Sequence, residues 1–294
     1  MATFDLHFHT NIHRMPERGK RLRLRKIARY LKHLDLDYLA STEHAYKKPL
    51  EAYDRLAEAT ADLPVQIIPG VEAISSEGID IIFLYRTREA LARALELYPT
   101  FSWSVRDVGA ICRETDAISI VPHPFHMGRT SAGNILSRRA YHRLLAMVDY
   151  VEIHNGSAMN VDNRIGAARV RSCFRQTQAK LDKTLNLPYE DRGFGLGWAV
   201  SSDAHYPGEQ FVVGGTGMEP RPDADVFDFL KQRVRFTPHL LEQPDSRALD
   251  DNFRLLRDFQ CVLKEGLVKE CIKTRNWTQA MVALCVSWGM LRPF

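Results

Sequence analysis

Short apolar runs recur through the first 208 residues of the chain, and most of them end in histidines or carboxylates. Each run has the length and pattern of a buried strand, and stretches with helical periodicity separate most of them. Strands that alternate with helices are typical of an α/β fold built from βα units. The seven runs cover residues 3–9, 37–44, 65–73, 79–85, 117–125, 148–157 and 197–208.

Ionisable residues stand at the C-terminal ends of six of these runs. In an open α/β sheet or a closed βα-barrel these ends meet on one rim, where such folds carry their chemistry. A single buried histidine is usually a packed, hydrogen-bonded residue, but repetition at the same end of successive strands is not explained in that way. The residues are His7, His9, His44, Glu72, His123, Glu152, His154, Asp203 and His205.

The first run, TFDLHFHT, carries His7 and His9 one residue apart. Residues i and i+2 of a strand point to the same face, so both imidazoles leave the end of the strand in one direction. Neighbouring imidazoles are suitable ligands for first-row metals. Taken alone, the pair could also include a histidine that is simply packed and hydrogen-bonded. The ionisable residues at the ends of the other runs favour a metal site.

The composition limits the class of protein. At 294 residues and 45% hydrophobic, the chain is long enough for a barrel of about 250 residues. The net charge of +4 is compatible with anionic substrates and too small to indicate nucleic acid by itself. No apolar stretch approaches about 18 residues, and MATFDLHF lacks a signal-peptide pattern, so no membrane association is expected. Five widely spaced cysteines without a CxxC pair indicate neither a disulfide framework nor a zinc ribbon, and a cytoplasmic location is expected.

Two domains are expected. Residues 1–240 form the barrel, and residues 241–294 form a helical C-terminal extension that packs on it. A role of this extension in a homo-oligomer is the alternative. Helical periodicity also predicts helices over residues 17–34, 48–61, 87–97, 104–115, 137–146 and 160–185.

The helix predicted over residues 17–34 is dense in arginine and lysine on the face away from its apolar positions. One interpretation is a patch that binds polyanions. A solvated helix face explains the same residues, and the sequence favours it, because aromatic residues do not alternate with the charges and Tyr30 is the one aromatic among them.

The segments HFHT, STEH, PGVE, VPHP and SSDAH, in this order, resemble the motifs of the polymerase and histidinol phosphatase (PHP) superfamily over about residues 1–215. The resemblance implies a distorted (β/α)7 TIM-like barrel with two or three divalent metal ions (Mn, Fe or Zn) at the C-terminal face of its strands. It also implies which residues bind them. The first metal would take His7, His9 and Asp203, Glu72 would bridge the first and second metals, His123 would bind the second, and His44 and His205 would bind a third.

Three positions depart from the family pattern. Glu43 replaces the usual aspartate before His44. Arg14 stands where an aspartate or histidine usually follows HxHT, with His13 as a nearby candidate ligand. Asp80 falls near the histidine usual in the strand after the bridging glutamate. It either ligates the second metal, favouring manganese or iron over zinc, or leaves that site weak. His154 is a candidate substitute ligand or proton donor.

This ligand set predicts hydrolysis of phosphate esters. Two divalent ions held about 3.5–4 Å apart by a bridging carboxylate lower the pKa of bound water toward about 7 and neutralise the phosphoryl oxygens. Asp203 would orient the nucleophile or accept its proton, and His205 or His154 would protonate the leaving alkoxide. A small phosphomonoester or phosphodiester is the expected substrate. The alternatives are a nuclease of the same barrel type and a non-catalytic metal-binding or regulatory module.

A phosphate substrate also needs cations and hydrogen-bond donors near the rim. Residues in loops or helix starts just past the strand ends are the candidates, although each charge alone is readily explained as a solvated surface residue. Of the cations, we favour Arg129 and Arg14. The full set is Arg14, Lys47, Arg129, Asn155 and Arg164.

Overall fold

The computed structural model describes residues 1–125, 130–156, 195–205, 210, 212–218, 220 and 225–241. Its strands are β1 (Ala2–Phe8), β2 (Tyr38–Ser41), β3 (Gln66–Ile74), β4 (Asp80–Leu84), β5 (Ile118–Val121), β6 (Tyr150–Asn155), β7 (Gly197–Ser201), β8 (Val212–Thr216) and β9 (Thr237–Leu240). Its α-helices are α1 (Glu17–Leu31), α2 (Pro49–Ala59), α3 (Arg88–Leu97), α4 (Val108–Thr115), α5 (Ala132–Ile135), α6 (Arg138–Leu145) and α7 (Val226–Leu230). Helices α1 to α4 and α6 confirm predicted helices, with ends shifted by a few residues.

The strands of the described residues form one mixed sheet in the order β7-β6-β5-β4-β3-β2-β1-β8-β9. Strands β1 to β3 are parallel to one another, and so are β5 to β7. The segment after β7 also pairs with β1. The amide of Asp203 donates to the carbonyl of His7 over 2.8 Å, and the amide of His9 donates to the carbonyl of Ala204 over 3.0 Å. The sheet is therefore a nearly closed barrel, and the predicted α/β barrel is confirmed.

Strand β4 departs from the predicted βα repeat, because it runs antiparallel to both β3 and β5. Its first residue, Asp80, lies opposite Ile74 at the end of β3. The start of β4 therefore lies on the same rim as the C-terminal ends of the parallel strands. Asp80 reaches this rim from the opposite end of its strand to the other candidate ligands.

Two glycines of β8 allow close packing against its neighbours. Gly214 and Gly215 lie within β8 and pair antiparallel with Phe4 and Thr3 of β1. A Cβ on Gly214 would lie 2.9 Å from the Cβ of Phe236, so the close packing beneath β8 requires glycine.

Both faces of β1 are buried, and they have different compositions. Phe4 and Leu6 belong to the main hydrophobic core, where the Phe4 ring stacks on Tyr38 with centroids 4.4 Å apart. Asp5 and His7 alternate with them and share the opposite face. Asp5 is held by Ser202, whose amide and hydroxyl donate to its carboxylate over 3.0 and 2.6 Å. This buried polar face supports the rim from below.

The chain divides into two compact units, Met1–Gln243 and Pro244–Phe294. The predicted extension, apart from Leu241, and the helix predicted over residues 160–185 lie outside the described residues and stay predictions. Among the helices that the structure describes, none has the length and apolar composition needed to cross a membrane.

Candidate metal centre

Three overlapping groups of side chains at the rim have the composition of metal sites. Within each group, one nitrogen or oxygen atom of every residue lies within 4.8 Å of the others. The first group is His7, His9 and Glu72, the second is Glu72, Asp80 and His123, and the third is His9, His44 and His205. Shared residues are what a bridged metal cluster requires, and here Glu72 and His9 each belong to two groups.

Four side chains converge at the first group. The Nε2 atoms of His7 and His9 lie 3.1 Å apart. Oδ1 of Asp203 lies 3.4 Å from the first and 3.3 Å from the second. The two carboxylate oxygens of Glu72 lie 3.6 and 3.5 Å from the same nitrogens. Lone pairs directed at one point repel each other unless a proton or a metal cation lies between them, so this convergence fits a cation site.

A carboxylate lies behind each of these two imidazoles. Nδ1 of His7 lies 3.3 Å from Oε1 of Glu152, and Nδ1 of His9 lies 3.4 Å from Oε1 of Glu43. Both Nε2 atoms are thereby directed at the centre, as in carboxylate–histidine–metal arrangements. The sequence places Glu152 at the rim and Glu43 before His44, but it predicts an orienting role for neither. Their only sequence signal was an acidic residue at a strand end, in Glu43-His44 and in Glu152.

The second group joins β3, β4 and the loop after β5. Nε2 of His123 lies 3.1 Å from Oε1 of Glu72 and 3.9 Å from Oδ2 of Asp80. The amide of His123 donates to Oε2 of Glu152 over 2.6 Å. The φ angle of His123 is 29°, and positive φ is uncommon for residues other than glycine. Backbone strain of this kind clusters at functional sites.

The third group contains His44 and His205 beside His9. Their rings lie 4.5 and 4.3 Å from the His9 ring, measured between centroids. Nδ1 of His205 donates to the carbonyl of Asp203 over 2.9 Å, which leaves its Nε2 as an acceptor. Nδ1 of His44 contacts Oε2 of Glu72.

Structural comparison finds solved structures with this architecture. PsfC from Pseudomonas syringae PB-5123 is 16% identical, with 81% of this chain and 91% of that chain covered and a TM-score of 0.53. A two-domain protein from Bacteroides vulgatus ATCC 8482, containing a predicted PHP-like metal-dependent phosphoesterase, is 13% identical, with 81% and 64% covered and a TM-score of 0.51. The chain has the PHP fold. Identities this low establish the fold alone, and the sequence matches no protein-family model and no curated protein.

The pKa values in this PHP fold divide the histidines into two kinds. Burial alone would lower the pKa of His9 and His123, but hydrogen bonds to Asp203 and Glu43 for the first, and to Glu72 for the second, raise both to about 9. Burial and the nearby charge of His9 lower the pKa of His205 to about 4. His9 and His123 therefore carry protons that a metal would displace, and His205 is already in the neutral form that binds metals.

Two carboxylates of the candidate centre, Glu72 and Asp203, are ionised despite their burial. Burial would raise the pKa of Glu72, but the charge of His44 and hydrogen bonds from His123, His44 and His7 hold it well below its usual value. Burial would also raise the pKa of Asp203, and the charge of His7 and a hydrogen bond from His9 lower it. Asp80 differs, since burial and the charge of Glu72 raise its pKa to about 7.

Buried carboxylate oxygens test whether these residues fit a metal cluster. Oε2 of Glu72 and Oδ1 of Asp203 face imidazole nitrogens, which are themselves metal ligands. Oδ1 of Asp80 accepts no hydrogen bond from the part of the chain that the structure describes. A buried polar atom without a partner is costly and rare, so such atoms need an explanation. Divalent cations at the rim would coordinate all three oxygens. The side chains present therefore fit the two or three metals that the PHP resemblance implies.

Two predicted metal ligands lie outside the three groups. His13 is half-buried, and burial and the charge of Lys47 lower its pKa. A β-bulge between Glu152 and His154 interrupts the alternation of β6, and His154 is buried. Burial lowers the pKa of His154 to about 4, which makes it neutral near pH 7. Among the described residues, neither His13 nor His154 joins a candidate metal group.

Of the predicted phosphate-binding cations, Lys47 lies at the rim. Its Nζ donates to Oδ1 of Asn11 over 3.1 Å and lies 3.9 Å from Oε1 of Glu43. Arg14 is exposed in the loop after β1. Arg129 and Arg164 lie outside the described residues. Substrate binding by all four stays a prediction.

Asn155 is also predicted to bind substrate, and the structure shows what its amide contacts. Its Nδ2 donates to Oε2 of Glu152 over 2.8 Å and to Oδ2 of Asp203 over 3.1 Å. The side chain therefore positions two carboxylates at the metal centre. A contact with substrate stays a prediction.

Glu152→Gln tests the orienting carboxylate behind His7. We expect metal affinity to fall about 10- to 100-fold, because the neutral amide holds the imidazole less firmly. Calorimetric titration with manganese measures the effect, and circular dichroism checks the fold. Glu58→Gln, an exposed change on α2, is the matched control. Unchanged manganese affinity in Glu152→Gln would contradict the assignment.

Proposed function

We propose that the protein is a metal-dependent hydrolase of phosphate esters. The observation that carries this proposal is the convergence of His7, His9, Glu72 and Asp203 within 3.6 Å, with Glu72 shared by the second group. When bound there, divalent ions supply an activated water and neutralise the phosphoryl oxygens. A phosphate ester is the substrate class that most needs both effects.

The proposed ligand assignment follows the three groups. His7, His9 and Asp203 would hold the first ion, His123 and Asp80 would hold the second, Glu72 would be shared by these two, and His44 and His205 would hold a third. Asp80 makes the second site richer in oxygen ligands, which favours manganese or iron over zinc there.

The same geometry separates metal binding from proton transfer. The Nδ1–H of His205 is used by the carbonyl of Asp203, so its Nε2 carries no proton in the neutral ring. We therefore assign His205 to the third metal and not to protonation of the leaving group. Asp203 directs Oδ1 at the centre while Asn155 holds Oδ2, and this fixes the carboxylate for orienting the nucleophile.

A turnover assay tests the proposal. Protein reconstituted with manganese is expected to hydrolyse members of a panel of phosphomonoesters and phosphodiesters, and Asp203→Ala is expected to abolish turnover with the fold intact. Asp62→Ala, an exposed aspartate after α2, is the control. Elemental analysis runs beside the assay. Wild-type rates in Asp203→Ala would contradict the site, and a metal-loaded wild type without turnover on any ester would favour the non-catalytic module.

A further inference from the structure

One face of α1 presents a row of cations to solvent. Exposed basic residues recur at intervals of three and four residues, which places them on one side of the helix. They are Arg18, Arg21, Arg25, Arg29 and Lys32, and we call them the α1 cationic stripe. At 1.5 Å per residue the stripe is about 21 Å long.

The stripe carries no compensating charge of its own. No aspartate or glutamate occurs between residues 18 and 34. Glu17, which precedes the stripe, lies 3.1 Å from Lys20 and 3.2 Å from Arg55. Within the described residues, no ion pair reaches any of the five stripe cations. Their charges are therefore available to an external polyanion.

The face of α1 opposite the stripe is buried against the rest of the fold. Leu24, Ile27 and Leu31 are buried in a hydrophobic cluster with Phe8 and Leu56. A helix that lies in a membrane surface needs its apolar face free for insertion, and this face is occupied. The stripe is thus suited to a charged polymer in water more than to a lipid surface.

Arg23 connects α1 to the candidate metal centre. Its Nε donates to the carbonyl of Thr10 over 2.6 Å, and its Nη2 donates to the carbonyl of His205. Thr10 directly follows His9, and His205 lies two residues after Asp203. Because α1 links the rim end of β1 to the start of its parallel neighbour β2, the stripe begins at the rim and continues down the outer wall.

We propose that the α1 cationic stripe binds the phosphodiester backbone of duplex nucleic acid and aligns it with the rim. Hydrolysis of the aligned nucleic acid at the rim rests on the proposed hydrolase function. One strand carries a phosphate about every 3.4 Å along the duplex, so about six phosphates match the length of the stripe. The aromatic residue of α1, Tyr30, is buried, so stacking on single-stranded bases is not offered by this surface. Contacts confined to phosphates make the binding independent of base sequence.

Binding without metal tests the proposal separately from turnover. Fluorescence anisotropy with a duplex DNA of about 25 base pairs, in EDTA and at about 50 to 200 mM salt, measures affinity and its salt dependence. The stripe variant is Arg21→Gln, Arg25→Gln and Arg29→Gln together. The matched control is Arg93→Gln, Arg106→Gln and Arg113→Gln, three exposed arginines on or beside α3 and α4 with the same loss of charge.

We expect the stripe variant to lose about tenfold or more in affinity and its salt slope to fall by about 2 to 3, since each phosphate contact contributes about 0.9 to that slope. The control is expected to stay within about twofold of wild type. Equal losses in both variants would overturn the proposal. Stripe-dependent binding to phosphatidylserine vesicles without DNA binding would overturn it in favour of a lipid surface. If the stripe variant still hydrolyses small phosphate esters, a failure of the stripe proposal is distinguished from a failure of the proposed function.

Discussion

Replacing Glu72 by glutamine is expected to lower phosphate-ester turnover by about 10³-fold or more and to remove most of the bound metal. Glu72 is the residue shared by the first and second groups. Its carboxylate faces the imidazoles of four histidines, which are His7, His9, His44 and His123. An amide has one oxygen and no charge, so it cannot bridge two cations.

Elemental analysis and steady-state turnover of Glu72→Gln measure both effects, with melting curves to check folding. Glu89→Gln, an exposed change at the start of α3, is the control. Full metal content in Glu72→Gln would show that the metal is held without this carboxylate, and the proposed centre would have to be abandoned.

Metal affinity is expected to rise steeply between pH 6.5 and about 9. Hydrogen bonds to carboxylates raise the pKa of His9 and of His123 to about 9, against the opposing effect of burial, so both rings hold a proton at neutral pH. A metal must displace these protons, and each one makes the affinity about tenfold greater per pH unit. Two such protons give about 100-fold per unit within this window.

The metal-free protein is expected to respond in the opposite direction. A histidine whose pKa is raised on folding stabilises the fold fully below its unfolded pKa of 6.5, and that stability is lost as pH rises toward about 9. Titration calorimetry in two buffers with different ionisation enthalpies counts the protons released, and melting of the chelator-treated protein follows stability. His33→Ala, an exposed change after α1, should leave the proton count unchanged. Binding that releases no protons near pH 7 would contradict this view of the centre.

Local rules were sufficient for part of the site. The period of two in β1 predicts that His7 and His9 share a face, and the structure places their Nε2 atoms 3.1 Å apart. The repeated strand ends likewise predict one rim, because parallel strands bring their C-terminal ends together. Both features depend on residues close in sequence and on the fold class, and hydrophobic periodicity predicts strand faces and fold class.

The rest depended on contacts and strand directions that periodicity does not report. Glu152 contacts His7 across 145 positions of the chain, so no local pattern connects them. Asp80 reaches the rim because β4 is antiparallel, and a run such as IDIIFLY is compatible with either direction. The bulge in β6 separates His154 from the groups, although alternation from Glu152 predicts a shared face.

The place where the barrel closes is also the place where the candidate ligands meet. Backbone hydrogen bonds join Asp203 to His7 and His9 to Ala204, and the side chains beside these bonds are the ones that converge at the first group. A cation bound there would cross-link the beginning of the domain to a segment nearly two hundred positions later, and long closed loops are the ones that such links stabilise most in theory. Catalysis and the stability of the barrel would then both depend on the supply of metal.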